Sequence, residues 1–177
     1  RNLITAFKPL FLARERLVEE MKLEPAERSR IDGEKLRQGI PCVVQTPFFL
    51  EDDPWEAIGI AAVSAIREGF PALGEDASKL EKKLKTGEIR LFDAFEDYPA
   101  SAAAAADRWA GEANLKPQAV GLMLSAVTRI VLQARSNGIG DPIEKMGWDR
   151  GTCPVCGVHP TISVIREKIT QRWLHCS

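Results

Sequence analysis

Apolar residues at helical spacing run through most of residues 1–145, which predicts a mainly α-helical region. In the first segment they recur at intervals of three, four or seven: Leu3, Phe7, Leu10, Leu17 and Met21. Arg14 lies on the same face and weakens this pattern. Because proline lacks a backbone N–H and disturbs a helix interior, we expect the continuous helix to begin near Pro9.

Two later helices have clear signals in the sequence. The motif DPWE, with Asp53 as the N-cap, predicts a helix start, and Gly69 predicts the end of that helix. The longest predicted helix lies in KPQAVGLMLSAVTRIVLQARSNG. Its apolar face is wide: Val120, Met123, Leu124, Val127, Ile130, Val131 and Ala134. We expect a helix with so much apolar circumference at the centre of a helical bundle.

Residues 25–50 show no such period. Gly33, Gly39, Pro41 and Pro47 interrupt the segment, and we expect GIPCVVQTPFFLEDDP, residues 39–54, to form an extended connection. Cys42 lies in this connection, within GIPCVVQ. We interpret it as a small buried apolar residue, because free cysteine is often buried.

The pattern changes after Gly147. The segment TISVIREKITQRWLHCS is rich in β-branched and aromatic residues, which predicts strands at about 160–166 and 171–176 joined by a charged turn. We therefore expect a helical domain over residues 1–147 and a small β module over residues 148–177. The predicted fold class is mainly α, with an N-terminal helical domain followed by this module.

Composition and charge limit the functions to consider. The chain has 177 residues, 45% hydrophobic and 28% charged, which suits a globular protein able to bury a core. Its net charge of −1 gives no overall bias toward nucleic acid or anionic membranes. No apolar run approaches the roughly 18 residues of a transmembrane helix, so we expect no membrane insertion.

The strongest chemical motif is the pair Cys153 and Cys156 in CPVCG. Its spacing lets two thiolates face one metal ion, and Gly157 can adopt the positive φ that such a knuckle needs. Cys176 follows after a gap of nineteen residues, long enough for a β-hairpin to return the chain. This spacing is typical of a zinc-ribbon or rubredoxin-type site, in which sulfur ligands hold zinc or iron.

The fourth ligand of such a site would fall near position 179. His175 is a poor substitute, because adjacent side chains of a strand point to opposite faces. We therefore expect the chain to be part of a longer protein that carries the fourth cysteine. His159, close to the knuckle, is interpreted as a turn residue.

Other roles for the cysteines stay open. A redox dithiol usually has one thiol at a helix N-terminus, whereas this CxxC leads into a β pattern. A sulfur-handling role through a persulfide would use the same thiols. A CxxC pair without function is the third alternative.

The sequence contains no P-loop, dinucleotide fingerprint, Ser-His-Asp arrangement or HExxH motif. The carboxylates of Glu51, Asp52 and Asp53 are interpreted as a solvated helix entrance rather than a paired acid and base. We therefore expect a protein that is not an enzyme.

The stretch CPVCGVHP, a hairpin and then RWLHCS resemble the metal-binding part of the FdhE family of formate dehydrogenase accessory proteins. Members carry a CPxCGxxP knuckle and then an R-x-L-HC-x-x-C segment. The matching residues are Cys153, Pro154, Cys156, Gly157 and Pro160 in the first motif, and Arg172, Leu174, His175 and Cys176 in the second. The family carries further CxxC pairs, so we expect this chain to end within its first rubredoxin-like module.

The resemblance implies a non-catalytic maturation factor. Such proteins act in the cytoplasm on the catalytic subunit of exported respiratory formate dehydrogenases, and they combine an α-helical domain with rubredoxin-like modules. Iron is the metal proposed for the family. Whether the protein forms a homodimer stays open.

The alternative is a zinc-ribbon protein that binds nucleic acid. Residues 145–177 carry five Lys or Arg against two acids, a local charge of +3, and Trp173 could stack on a base. The helical domain is correspondingly acidic, which disfavours a phosphate-binding track. We therefore expect no nucleic-acid partner.

Overall fold

The computed structural model describes residues 3–96, 100–137, 139, 143, 148–160, 162–166 and 171–175. The helices are α1 (Leu3–Met21), α2 (Gly33–Arg37), α3 (Cys42–Gln45), α4 (Trp55–Gly69), α5 (Gly74–Lys85), α6 (Ala100–Glu112) and α7 (Pro117–Ser136), and the strands are β1 (Ile162–Arg166) and β2 (Gln171–His175). Short 3-10 turns occupy Arg28–Arg30, Pro71–Leu73 and Leu91–Ala94. The prediction of a mainly α fold is confirmed. None of the helices among these residues has the length and apolar character needed to cross a membrane.

The chain forms two compact units, each built from two separate stretches of sequence. The first consists of Arg1–Leu23 and Phe49–Val131, and the second of Glu24–Phe48 and Leu132–Ser177. The division into a helical domain over residues 1–147 and a β module over residues 148–177 stays a prediction. Residues 24–48, which include Cys42, belong to the same unit as Cys153 and Cys156.

Helix α4 supplies the centre of the first unit. Four of its residues have no exposed surface at all: Ile58, Ala62, Val63 and Ile66. A stacked aromatic group includes Trp55, the first residue of this helix: the ring centroids of Phe49 and Phe95 are 4.8 Å apart, and those of Trp55 and Phe95 are 5.3 Å apart. Burial of these apolar and aromatic side chains stabilises the folded first unit.

The apolar face predicted for the longest helix is confirmed. All seven of its residues are buried in α7: Val120, Met123, Leu124, Val127, Ile130, Val131 and Ala134. The prediction succeeds because twenty residues give the helical period several turns in which to repeat.

Helices α1 and α4 approach closely at Gly69, the last residue of α4. A Cβ atom added to Gly69 would lie 2.1 Å from the carbonyl oxygen of Ala6 in α1. Beside this contact the rings of Phe7 and Phe70 meet edge to face, with their centroids 5.0 Å apart. Only a residue without a side chain fits this approach.

Helix α1 begins at Leu3, so the prediction of a start near Pro9 is wrong. The N–H that Pro9 lacks would have bonded the carbonyl of Thr5, and Thr5 is exposed, so water can reach it. Packing of the buried face through Ala6, Leu10 and Leu17 holds the helix on both sides of the proline.

The predicted start of α4 is one position early. The helix begins at Trp55, and the residue before it is Pro54. The Asp53 carboxylate instead accepts a hydrogen bond from the Leu50 N–H at 3.0 Å. The Trp55 indole N–H donates to the Leu50 carbonyl at 2.7 Å, so both side chains stabilise the turn that precedes the helix.

The prediction of an extended connection over residues 39–54 is wrong at α3, a helical turn over Cys42–Gln45, and α2 lies just before the predicted connection. Asp32 caps α2 by accepting a hydrogen bond from the Glu34 N–H at 2.8 Å. Gly39, with a φ of +89°, follows the end of that helix. The glycines and prolines are far enough apart to leave room for single helical turns.

Arg135, near the end of α7, anchors the beginning of this segment within the second unit. It is buried, and its Nη1 donates to the Glu24 carbonyl at 2.7 Å. Its own carbonyl accepts a hydrogen bond from the Ala26 N–H at 3.0 Å. One residue thus fixes two points of the chain that leads toward Cys42.

The two predicted strands are present as an antiparallel pair. The register places Ile162 opposite His175 and Val164 opposite Trp173. The charged turn predicted between the strands, and Cys176, lie outside the described residues. The assignment of this module to the rubredoxin-like or zinc-ribbon class stays a prediction.

We expect Gly69→Ala to lower the free energy of unfolding of the first unit by about 1–3 kcal/mol, because the new methyl group would overlap the Ala6 carbonyl. Thermal unfolding followed by circular dichroism measures this. Gly121→Ala in α7 is the matched control, since a Cβ atom there meets nothing within 4 Å, and it should leave the stability unchanged or raise it. Equal stability of the two variants would contradict the close approach.

Candidate metal centre

The CxxC segment folds into a tight loop closed by its own backbone. The Cys153 N–H donates to the Val158 carbonyl, and the Gly157 N–H donates to the Cys153 carbonyl, each at 2.8 Å. Gly157 has a φ of +75°, in the left-handed region that glycine adopts without strain. This is the loop expected of a knuckle that turns two thiols toward one point.

Trp148 supports the approach to this loop. Its indole N–H donates to the Thr152 carbonyl at 2.7 Å, one residue before Cys153. Within the loop Cys153 is partly exposed, whereas Cys156 is buried. The loop therefore presents one thiol that solvent reaches and one that it hardly reaches.

The segment before α3 packs directly against the knuckle. The Cys42 N–H donates to the Pro154 carbonyl and the Val43 N–H donates to the Val155 carbonyl, both at 2.9 Å. These donors are the first N–H groups of α3, which have no partner within a helix. The carbonyls of Pro154 and Val155 thus accept the hydrogen bonds that the first N–H groups of α3 cannot make within the helix. The same bonds hold the middle of the knuckle against α3.

A second contact fixes the same arrangement. A Cβ atom added to Gly157 would lie 3.0 Å from Cγ of Pro41, the residue that precedes α3. Near the other side of α2, the Arg150 guanidinium donates to the Arg37 carbonyl at 3.4 Å and lies against Gly39. Both the knuckle and the chain just before it therefore contact the 24–48 segment.

Cys42 is a third cysteine beside the knuckle. It has no exposed surface, which confirms the prediction that it is buried. Burial raises the pKa of its thiol to about 11, and the neighbouring Cys153 is the second cause. No sequence pattern predicts that Cys42 lies beside the knuckle, because more than a hundred residues separate Cys42 from Cys153 and no motif links them.

The structure brings together two of the three predicted metal ligands. Cys153 and Cys156 share one loop, and Cys176 lies outside the described residues. His159 is exposed, and its interpretation as a turn residue stays a prediction. Among the residues with described positions, no group of three or more Cys, His, Asp or Glu is arranged to hold a metal ion. The three-cysteine ligand set stays a prediction.

The chemistry of the loop nevertheless fits a soft cation. Two cysteines two residues apart, in a backbone turned by a left-handed glycine, are the donors that zinc and iron–sulfur sites use. The backbone bonds described above close the loop through N–H and carbonyl groups alone. Cys153 and Cys156 are therefore the residues that would hold a metal here.

Comparison with known proteins agrees with the resemblance noted in the sequence. Residues 152–177 match the family model described as "FdhE, central domain". The match covers Cys153, Cys156 and Cys176, together with both strands of the hairpin. No curated protein and no solved structure matches the chain. The similarity to FdhE is confirmed for this C-terminal stretch.

We expect Gly157→Ala to destabilise the knuckle by about 1–2 kcal/mol, because an alanine at a φ of +75° is strained and its methyl group would press on Pro41. Hydrogen exchange of the Cys153 and Gly157 amides should become faster. The control is Gly151→Ala, just before the knuckle, where a Cβ atom meets nothing within 4 Å. If both variants exchanged at the wild-type rate, the knuckle would not depend on Gly157.

Proposed function

We propose that the chain is part of an FdhE-like accessory protein that supports the maturation of a formate dehydrogenase. The observation that carries this proposal is the family match over residues 152–177, which coincides with the knuckle and the hairpin. The geometry of the knuckle supports it independently, because the loop is built as a pair of sulfur donors. The activity and partners of the whole protein follow from the similarity.

In this proposal Cys153, Cys156 and Cys176 hold zinc or iron together with a fourth ligand. Residues 148–177 would then form the first rubredoxin-like module. A bound metal of this kind cross-links a small module that has little apolar core of its own. The residues of the chain position the donors: Gly157 turns the loop, and the first N–H groups of α3 hold its carbonyls.

The partner proposed is the catalytic subunit of an exported respiratory formate dehydrogenase, met in the cytoplasm before export. The protein itself would bind this client and would not act as an enzyme. The similarity to FdhE supports this role over the alternative of a zinc-ribbon protein that binds nucleic acid.

The metal set is tested by substitution in the full-length protein, purified under reducing and anaerobic conditions. We expect Cys153→Ser to lose most of the bound zinc or iron, because a tetrahedral site cannot replace a lost thiolate cheaply. Elemental analysis measures the metal content per chain. Cys42→Ala is the matched control, since it also removes one cysteine of the second unit but leaves the proposed ligands intact. Loss of metal in both variants, or in neither, would contradict the ligand set.

The client is tested by affinity capture with the full-length protein as bait. We expect enrichment of the formate dehydrogenase catalytic subunit over an unrelated exported enzyme, with Gly151→Ala retaining it. Equal recovery of the two enzymes would count against the proposal. Salt-sensitive retention of the protein on heparin, without client capture, would favour the nucleic-acid alternative.

A further inference from the structure

Cys42 lies outside the proposed ligand set, yet its backbone is bonded to the knuckle. Its N–H donates to the carbonyl of Pro154, the residue that follows Cys153, and the next N–H along donates to the next carbonyl. These two successive hydrogen bonds of 2.9 Å align Cys42 and Val43 with the loop between the knuckle cysteines. Cys42 therefore lies beside the backbone of the residue next to Cys153.

The cysteines of this cluster differ in access to solvent. Cys153 is partly exposed, Cys156 is 4% exposed, and Cys42 has no exposed surface. A reagent in solution therefore reaches the Cys153 thiol first. Cys42 is shielded from reagents, and its backbone is bonded to the residue that follows the cysteine they reach.

We propose that Cys42 is a resolving thiol for Cys153, so that a small-molecule disulfide converts the two residues into a Cys42–Cys153 disulfide. The site is formed by two segments of the second unit, Glu24–Phe48 and the knuckle. It needs no bound metal. The bond would join covalently the two segments that the backbone hydrogen bonds already hold together.

The reaction proceeds by two thiol–disulfide exchanges. The Cys153 thiolate attacks one sulfur of the small-molecule disulfide, forms a mixed disulfide and releases the other half as a thiolate. The Cys42 sulfur then attacks Sγ of Cys153 and releases the second half, which takes up the Cys42 proton and leaves as a thiol. The two cysteines lose two electrons and two protons, and the small-molecule disulfide gains both as two thiols.

One consequence rests on the proposed function. A sulfur held in a disulfide cannot serve as a thiolate ligand, so the oxidised protein would hold zinc or iron less tightly than the reduced protein. Metal retention is therefore a separate measurement from the formation of the bond. Failure of the metal or client proposals would leave the Cys42–Cys153 bond itself unaffected.

The test oxidises the reduced, chelator-treated full-length protein with oxidised glutathione. Free thiols are then blocked in acid, and the protein is unfolded and digested with trypsin. Cleavage at arginine places Cys42 in the peptide 38–67 and both knuckle cysteines in the peptide 151–166. We expect mass spectrometry to find these two peptides joined in wild type and in Cys156→Ser, and not in Cys153→Ser.

A second variant keeps the test independent of how Cys153→Ser folds. In Cys42→Ala the mixed disulfide of glutathione with the 151–166 peptide should persist, whereas wild type should convert it to the joined peptides. The proposal is overturned if Cys42 is recovered as a blocked free thiol while Cys153 is paired with Cys156 or Cys176. It is also overturned if Cys42→Ala resolves the mixed disulfide as fast as wild type.

Discussion

The structure of the second unit depends on two backbone hydrogen bonds, from the N–H groups of Cys42 and Val43 to the carbonyls of Pro154 and Val155. The first N–H groups of a helix have no partner inside it, and loop carbonyls removed from water need donors. Pairing them satisfies both sets at once. A single helical turn such as α3 is unstable alone, and so is a short CxxC loop. Each therefore stabilises the other.

This interdependence explains why the glycine and proline positions around the knuckle matter. Gly157 must take a positive φ to close the loop, and the space beside it is filled by Pro41. Pro41 in turn has no N–H, so the first donors of α3 belong to the two residues that face the knuckle. Backbone hydrogen bonds and the φ of Gly157 thus set the conformation of the loop that carries Cys153 and Cys156.

The parts of the fold that could be predicted from sequence are those with local causes. The buried face of α7 repeats over several turns, and the strands of the hairpin follow from β-branched residues close together in the chain. Asp53 was misassigned because an aspartate before a helix can cap it or, as here, bind the Leu50 N–H of the preceding turn. Sequence alone does not decide between two local hydrogen bonds of similar strength.

No local sequence pattern predicts that two distant segments of the chain form the second unit. Arg135 binds Glu24 across more than a hundred residues, and Cys42 reaches the knuckle across a similar separation. Such pairings depend on the whole chain closing, which periodicity cannot report. The CxxC spacing identified Cys153 and Cys156, but the buried thiol beside them became visible only in three dimensions.

In the two proposals Cys153 has competing partners, a metal ion and Cys42. Metal ligation and disulfide formation both consume the Cys153 thiolate, so each state excludes the other. By linkage, a bound ion protects the thiol from oxidation, and oxidation weakens the binding of the ion to the same degree in free energy. The 24–48 segment would hold the loop in either state, because its backbone bonds to the knuckle end on carbonyl oxygens and involve no sulfur atom.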